Sequence, residues 1–212
     1  MKNFPFFTTQ SGVASLVLEQ VPFNKTAYIR IQSCSDFREL LKECLDFCKA
    51  VGAETVFAAG DDRLITRGEP ASVIRMERRR EGLAQCTAQL VTTNRENAET
   101  FRQIYNRTMC RIPNAALLTN NDLLSRIDAG ECYFVYQEDL LLGVGIASGS
   151  WIHTVISLVK GAGEMVLLAL NRVLEGESIQ VELIDCNIPA KRLYERLGFT
   201  VSETISTWYK IL

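Results

Sequence analysis

Asn187-Ile-Pro-Ala-Lys-Arg-Leu-Tyr-Glu-Arg-Leu-Gly198-Phe199 is the stretch on which the fold turns. Asn187 is a helix cap and Pro189 sits in the first turn, where its missing N–H costs nothing. Leu193, Tyr194 and Leu197 follow at helical spacing, and Gly198 stops the helix. Upstream, Ile179 to Asp185 alternates as a strand, and Val201 to Trp208 alternates downstream. The stretch is therefore a strand–helix–strand unit with its polar cap at the end of the first strand.

Working outward, Val166 to Leu174 is apolar on two faces and reads as a buried helix. Between it and a strand at Trp151–Val159 lies Lys160-Gly-Ala-Gly-Glu-Met165. Two glycines let the backbone turn tightly, so successive N–H groups of Gly161, Ala162, Gly163, Glu164 and Met165 converge on one point. The helix N-terminus adds partial positive charge and Lys160 a full one, which makes an anion site with phosphate as its natural occupant. A plain glycine-rich turn is the alternative. A dinucleotide fingerprint is not, because Val166 stands at the third glycine position and too little chain follows Glu182 to complete a doubly wound sheet.

The block from Asn187 to Phe199 resembles the signature of the GNAT superfamily, the acyl-CoA-dependent N-acyltransferases. Lys160 and Gly163 stand where that family's phosphate loop has a basic residue and its middle glycine, while Met165 replaces the usual final small residue. The resemblance implies an α/β (α+β) fold, with a mixed, mostly antiparallel central sheet and helices on both faces. It implies acetyl-CoA as co-substrate and a primary amine as acceptor, joined by direct attack. By the same resemblance, backbone groups near Val155 and Ser157 would pair with the pantetheine arm, and the amides of residues 161–165 would hold the pyrophosphate. Asn187 would bond the pantetheine or a nearby backbone group, and Tyr194 would protonate the departing thiolate. For the general base, His153, Glu182 and Glu138 are the candidates, and no motif chooses between them. A non-catalytic acyl-CoA-binding module with the same fold is the rival reading.

The element order that carries the resemblance, β-α-α-β-β-β-α-β-α-β, runs from residue 85 to 212. Glu96–Cys110 and Asn120–Ile127 are its first helices, with Asn94 expected as the first cap. Glu131–Gln137 and Leu140–Ser148 form a hairpin across Glu138-Asp139. Residues 1–80 make a smaller β-β-α-β-β unit: Val13–Gln20, Ala27–Gln32, a helix over Asp36–Val51, Thr55–Ala59 and Ala71–Glu77. A shift of 130 residues aligns Gly68 with Gly198 and Leu64 with Tyr194, so this unit reads as a worn half-copy. Ser33-Cys-Ser-Asp36 stands in place of its phosphate loop, without a glycine. Arg78-Arg-Arg80 reads as a solvated linker between the two.

Composition bounds the rest. The 212 residues carry 23 basic and 25 acidic side chains. That balance argues against a nucleic-acid partner, and the arginine run is too short to reverse it. Leu140–Val159 is uncharged but interrupted by Gly143, Gly145, Gly149 and His153, so it is no lipid-facing helix. Residues 1–5 lack the apolar core of a secretory signal, and seven cysteines without CxxC spacing fit a reducing cytoplasm. The only histidine is His153, so a multi-histidine zinc site is excluded and no metal is expected. Cys44 and Cys48 are expected to pack rather than ligate. The oligomeric state is open, a dimer being compatible with the sequence.

Overall fold

The computed structural model describes residues 6–212, so the reading of residues 1–5 as lacking a secretory signal lies outside the described residues. The chain divides into two compact units. The first holds residues 6–72, 113–115 and 206–212, the second residues 73–112 and 116–205.

In the first unit, β1 (Phe6–Thr9) and β2 (Gly12–Val17) form a hairpin. A short helix α1 (Val21–Asn24), with Pro22 in its first turn, leads into β3 (Thr26–Cys34). Next comes α2 (Phe37–Ala50), opened by the Asp36 side chain, which accepts from the amides of Arg38 and Glu39. Its periodic apolar residues Leu40, Leu41, Cys44 and Cys48 are buried with Ile29, Val56 and Leu64. Burial pushes the thiols of Cys44 and Cys48 up to about 12 and about 11, as expected of packed cysteines. The strand β4 (Thr55–Ala59) runs parallel to β3 over five paired positions, Thr26–Arg30 against Thr55–Ala59. A 3₁₀ turn, Asp62–Thr66, then leads to β5 (Glu69–Arg79).

Only the start of β5 belongs to the first unit; from Val73 onward it is a strand of the second. There follow β6 (Gln89–Thr92), α3 (Ala98–Met109), α4 (Asn120–Asp128), β7 (Cys132–Gln137), β8 (Leu140–Ser148) and β9 (Trp151–Ser157). The chain ends with α5 (Gly163–Leu170), β10 (Ser178–Ile184), α6 (Ile188–Arg196) and β11 (Thr200–Lys210). Strands β6 to β9 are antiparallel neighbours, β9 and β10 are parallel, and β10 pairs antiparallel with β5 from Ser178↔Arg79 to Ile184↔Val73. One face of this sheet packs under α5, and the other carries Phe101 of α3 and Leu123 of α4. The fold is thus mixed α/β and mostly antiparallel, as the resemblance implied.

Several local expectations are corrected. Arg78 and Arg80 are not a solvated linker. The Arg78 guanidinium donates to the carbonyl of Leu197, where α6 ends, and that of Arg80 to Asn171 and Gly176. Contact between elements divides the chain at Ser72/Val73 rather than between residues 80 and 85, because β5 is zipped to β10. Asn94 forms an Asx turn, accepting from the amides of Glu96 and Asn97, and the helix starts at Ala98 with Asn97 in the cap position. The buried helix starts at Gly163 instead of Val166, which makes Gly163, Glu164 and Met165 its first turn. It lies close on β8 because Gly143 and Gly145 have no side chains. A Cβ at Gly145 would stand 2.3 Å from Leu170 Cδ1. No helix among the described residues is long and apolar enough to cross a membrane.

Candidate functional site

The parallel pair β9/β10 is the feature that opens the sheet. The two strands are joined only at Gln180↔Trp151 and Val181↔Ile152. Beyond that point β9 continues to Ser157 and β10 to Ile184 without pairing, so backbone groups on their facing edges are left for another partner. Val155 and Ser157 lie on this unpaired length of β9, while their registered partners, Gly145 and Gly143, are across on β8.

The N-terminus of α5 follows at the open end of the gap. No side chain caps this helix. The amide of Ala162 is used in the turn, donating to Val159 O, and that of Val166 closes the first helical bond on Ala162 O. Among the described residues no acceptor meets the amides of Gly161, Gly163, Glu164 or Met165. Gly161 holds φ of +86°, a left-handed turn suited to glycine, with open space where a Cβ would be. Lys160 is exposed, and Glu164 pairs with Arg196 at 3.8 Å. A Cβ on Gly163 would stand 3.2 Å from Leu193 Cδ2 and 3.9 Å from Ser157 Cβ. The end of β9, the start of α5 and the body of α6 thus meet at one glycine.

Asn187 caps α6, its Oδ1 accepting from the amide of Ala190 at 3.4 Å. Tyr194 lies on the buried side of α6, its ring 5.5 Å from Phe199. Its hydroxyl has no hydrogen-bond partner among the described residues, and burial pushes the phenol up to about 12. All these residues lie in the second unit, and the Asn187 carbonyl oxygen and the Ala162 amide are occupied within the protein.

The structure separates the three base candidates. Glu138 forms the β7–β8 turn with φ of +53°, at the opposite end of that hairpin from Ser148. The carboxylate of Glu182 is held by Arg75 at 2.9 Å, and Arg75 also reaches Glu203. His153 is exposed, with Nε2 2.9 Å from Ser148 Oγ and its ring stacked near Trp151. The register of β8 against β9 slips here: Ile146 faces Thr154 and Ala147 faces Ile152, so His153 is the extra residue of a β-bulge. Ser148, Trp151 and Arg75 were missed in the sequence, where nothing in their spacing marks them.

The first unit repeats the order strand, strand, helix, strand, link, strand, but none of this geometry. Its parallel pair β3/β4 is zipped along all of β4. The Asp36 carboxylate occupies the start of α2, and the buried Leu64 lies in the link where the second unit has Tyr194. The single shift of 130 also carries Thr55–Ala59 past the end of β10, because the 3₁₀ link is shorter than α6.

No family model and no curated protein matches the chain. Among solved structures it is similar to a GCN5-related N-acetyltransferase from Sphaerobacter thermophilus, at 13% identity and TM-score 0.52, over 94% of this chain and 76% of that one. A GCN5-related N-acetyltransferase from Anabaena variabilis matches at 9% identity and TM-score 0.56, over 95% and 60%. A functionally unknown conserved protein from Staphylococcus epidermidis matches at 10% and 0.55, over 98% and 93%. The chain has the GNAT fold. Within that GNAT fold the unpaired edges of β9 and β10 and the uncapped α5 are properties of this chain's own residues.

Proposed function

We propose that the second unit is an acetyl-CoA-dependent N-acetyltransferase that transfers the acetyl group directly to a primary amine. The observation that carries this reading is the uncapped start of α5 at the open end of the β9/β10 gap. Four amides without acceptors and a helix dipole favour an anion, and Lys160 adds a mobile cation for the pyrophosphate. The unpaired edge at Val155 and Ser157 offers an extended, amide-bearing arm the hydrogen bonds that β10 does not make. Ala162 supports the turn through its bond to Val159, and Asn187 has its Nδ2 donors free while its oxygen caps α6. Tyr194, kept protonated by burial, is the donor to the leaving thiolate. The first unit is a worn copy with a structural role, since a zipped strand pair and a carboxylate-filled helix start leave no room for the same ligand.

A second reading is favoured by one observation. The Tyr194 side chain is buried against Phe199, as in a packing residue, so a module that binds acyl-CoA without turnover is the alternative. Acetyl-CoA at millimolar concentration is expected to raise the melting temperature by mass action. Release of free thiol in the presence of an amine panel then separates the two readings: the enzyme produces thiol, and the binding module saturates without it. No thermal shift would remove the anion site from residues 161–165. The protein is expected to work in the cytoplasm, without nucleic acid, membrane or metal, the amine being its other partner.

A further inference from the structure

We propose that the first unit carries a docking groove for an acidic peptide segment of a partner protein, laid along α2 from Arg38 to Lys49 and walled by Arg67. The inference does not rest on the acetyltransferase reading, and its residues all belong to the first unit. Along α2, Arg38, Lys42, Leu45 and Lys49 recur at helical spacing and share one face. Arg67, which ends the 3₁₀ turn before β5, lines the same groove, a hollow of 490 Å³. Leu41 is buried and Leu45 half-buried against the core of that unit, so they form the floor. The four cations are exposed and form the rim. A second hollow, of 410 Å³, continues past the start of α2; it shares Arg38 and Arg67 and adds Arg63. From Arg38 to Lys49 the helix rises about 16 Å, the length of about five residues of extended chain.

The positive charge of this groove is largely uncompensated. Arg63 is engaged by the Asp61 carboxylate at 2.7 and 2.8 Å, and its guanidinium lies 4.6 Å over the Phe37 ring. Lys42 meets Glu39 at 3.5 Å, a weak pair because both side chains are well exposed. Arg38, Lys49 and Arg67 have no ion pair among the described residues. Of the carboxylates lining the two hollows, Asp36 is engaged by the amides of Arg38 and Glu39, which leaves Asp46 facing the cations. The like charges repel one another until a ligand brings carboxylates. Because the whole chain is formally −2, this attraction is a property of one face and not of the net charge.

Shape and chemistry select the class of partner. A nucleic-acid strand would stack its bases on exposed rings, whereas the one ring lining either hollow, Phe37, is buried beneath Arg63. An anionic membrane takes up protruding apolar side chains, and here the apolar residues lie at the bottom of a hollow. A peptide with acidic and leucine-like side chains matches both parts: carboxylates meet the Arg38 and Arg67 rim, and apolar groups meet Leu41 and Leu45.

The test uses the full chain and a fluorescein-labelled peptide of about twelve residues, glutamate pairs separated by single leucines, which spans the groove with residues to spare. Fluorescence anisotropy is expected to show saturable binding that weakens about tenfold or more between roughly 0.05 and 0.5 M salt. Arg38→Glu combined with Arg67→Glu should weaken binding about tenfold or more, since it removes two attractions and adds two repulsions. Both side chains are exposed, so a cooperative melt should persist; Arg38→Gln with Arg67→Gln reads the same loss without charge reversal. Arg107→Glu with Arg111→Glu, exposed on the second unit, alters the net charge equally and should leave binding within about twofold. Equal losses in the two charge-reversed proteins, or no loss in either, overturn the groove. A thymidylate strand, or vesicles of phosphatidylserine and phosphatidylcholine, that binds more tightly than the peptide and is released by the Arg38 and Arg67 changes overturns the choice of a peptide. A dimer in sedimentation that those changes dissolve assigns the groove to a second copy instead. The acetyl-CoA thermal shift should be unaltered in the groove variants, so either reading can fail without the other.

Discussion

Tyr194 is where chemistry and packing compete most sharply. A phenol with pKa of about 12 is fully protonated at neutral pH, but it yields its proton reluctantly. Passing that proton to a thiolate of ordinary pKa, about 8.5, is uphill by roughly 5 kcal/mol unless the tyrosinate is stabilised. The hydroxyl therefore serves best as a hydrogen-bond donor to developing charge on sulfur. Tyr194→Phe should lower kcat near the bottom of the usual range for a positioned acid, on the order of 10²-fold, with acetyl-CoA affinity unchanged. Unchanged kcat, with transfer limiting the rate, would leave Tyr194 as packing. Burial has a stability consequence too. The folded pKa lies above the unfolded value of 10, so the stabilisation is complete below pH 10 and is lost as pH rises toward 12. Tyr194→Phe should flatten that alkaline decline in a denaturant series run from pH 9 to 12. At Gly163, by contrast, the backbone is ordinary and the nearest obstacle to a Cβ is the movable end of Leu193. Gly163→Val should fold, yet place its side chain between the α5 amides and a pyrophosphate. Loss of the acetyl-CoA thermal shift in a protein that still melts cooperatively is the expected result.

At the scale of elements, the sequence was most legible where one residue type has one physical use. Asn187, Pro189 and Gly198 bounded α6 correctly, since a cap, a first-turn proline and a left-handed stop leave little choice. Thr55–Ala59 was equally clear, an apolar run too short for a helix. What could not be read was pairing. The two-position contact of β9 with β10, the bulge at His153 and the Ser148–His153 bond depend on register between strands, which spacing within one strand does not encode. For the same reason Arg78 and Arg80 looked like a linker, although their guanidinium groups serve carbonyls some ninety or more residues away. The close seat of α5 on β8 is a further case, hidden behind two ordinary glycines. A Cβ on Gly143 would lie 2.0 Å from Ile156 O and 2.9 Å from Val166 Cγ2. The first contact is with the backbone of the neighbouring strand, so no rotamer relieves it. Gly143→Ala should cost about 3 kcal/mol or more, read as a lower denaturant midpoint.

The whole molecule shows why the smaller N-terminal segment cannot be removed from the candidate enzyme. Residues 85–212 carry every motif of the acyltransferase reading, but they omit β5. From Val73 to Arg79 that strand pairs with all of β10, and it contributes Ile74 and Met76 to the core that also holds Tyr194 and Phe199. Burying two such side chains is worth about 3–6 kcal/mol, a large part of the 5–15 kcal/mol that holds a typical domain together. Without β5, β10 also becomes an open edge beside the proposed ligand gap, and the carbonyls at Leu197 and Asn171 lose the guanidinium groups that satisfy them. A fragment of residues 85–212 should therefore show no cooperative melting transition and a tendency to aggregate. One of residues 69–212 regains the strand and should recover partial cooperativity. A synthetic peptide of residues 69–80 added to the short fragment should do the same by strand addition. Circular dichroism melts of the three samples test the idea directly. A sharp transition in 85–212 alone would mean that the second unit is complete without the strand it takes from the N-terminal half.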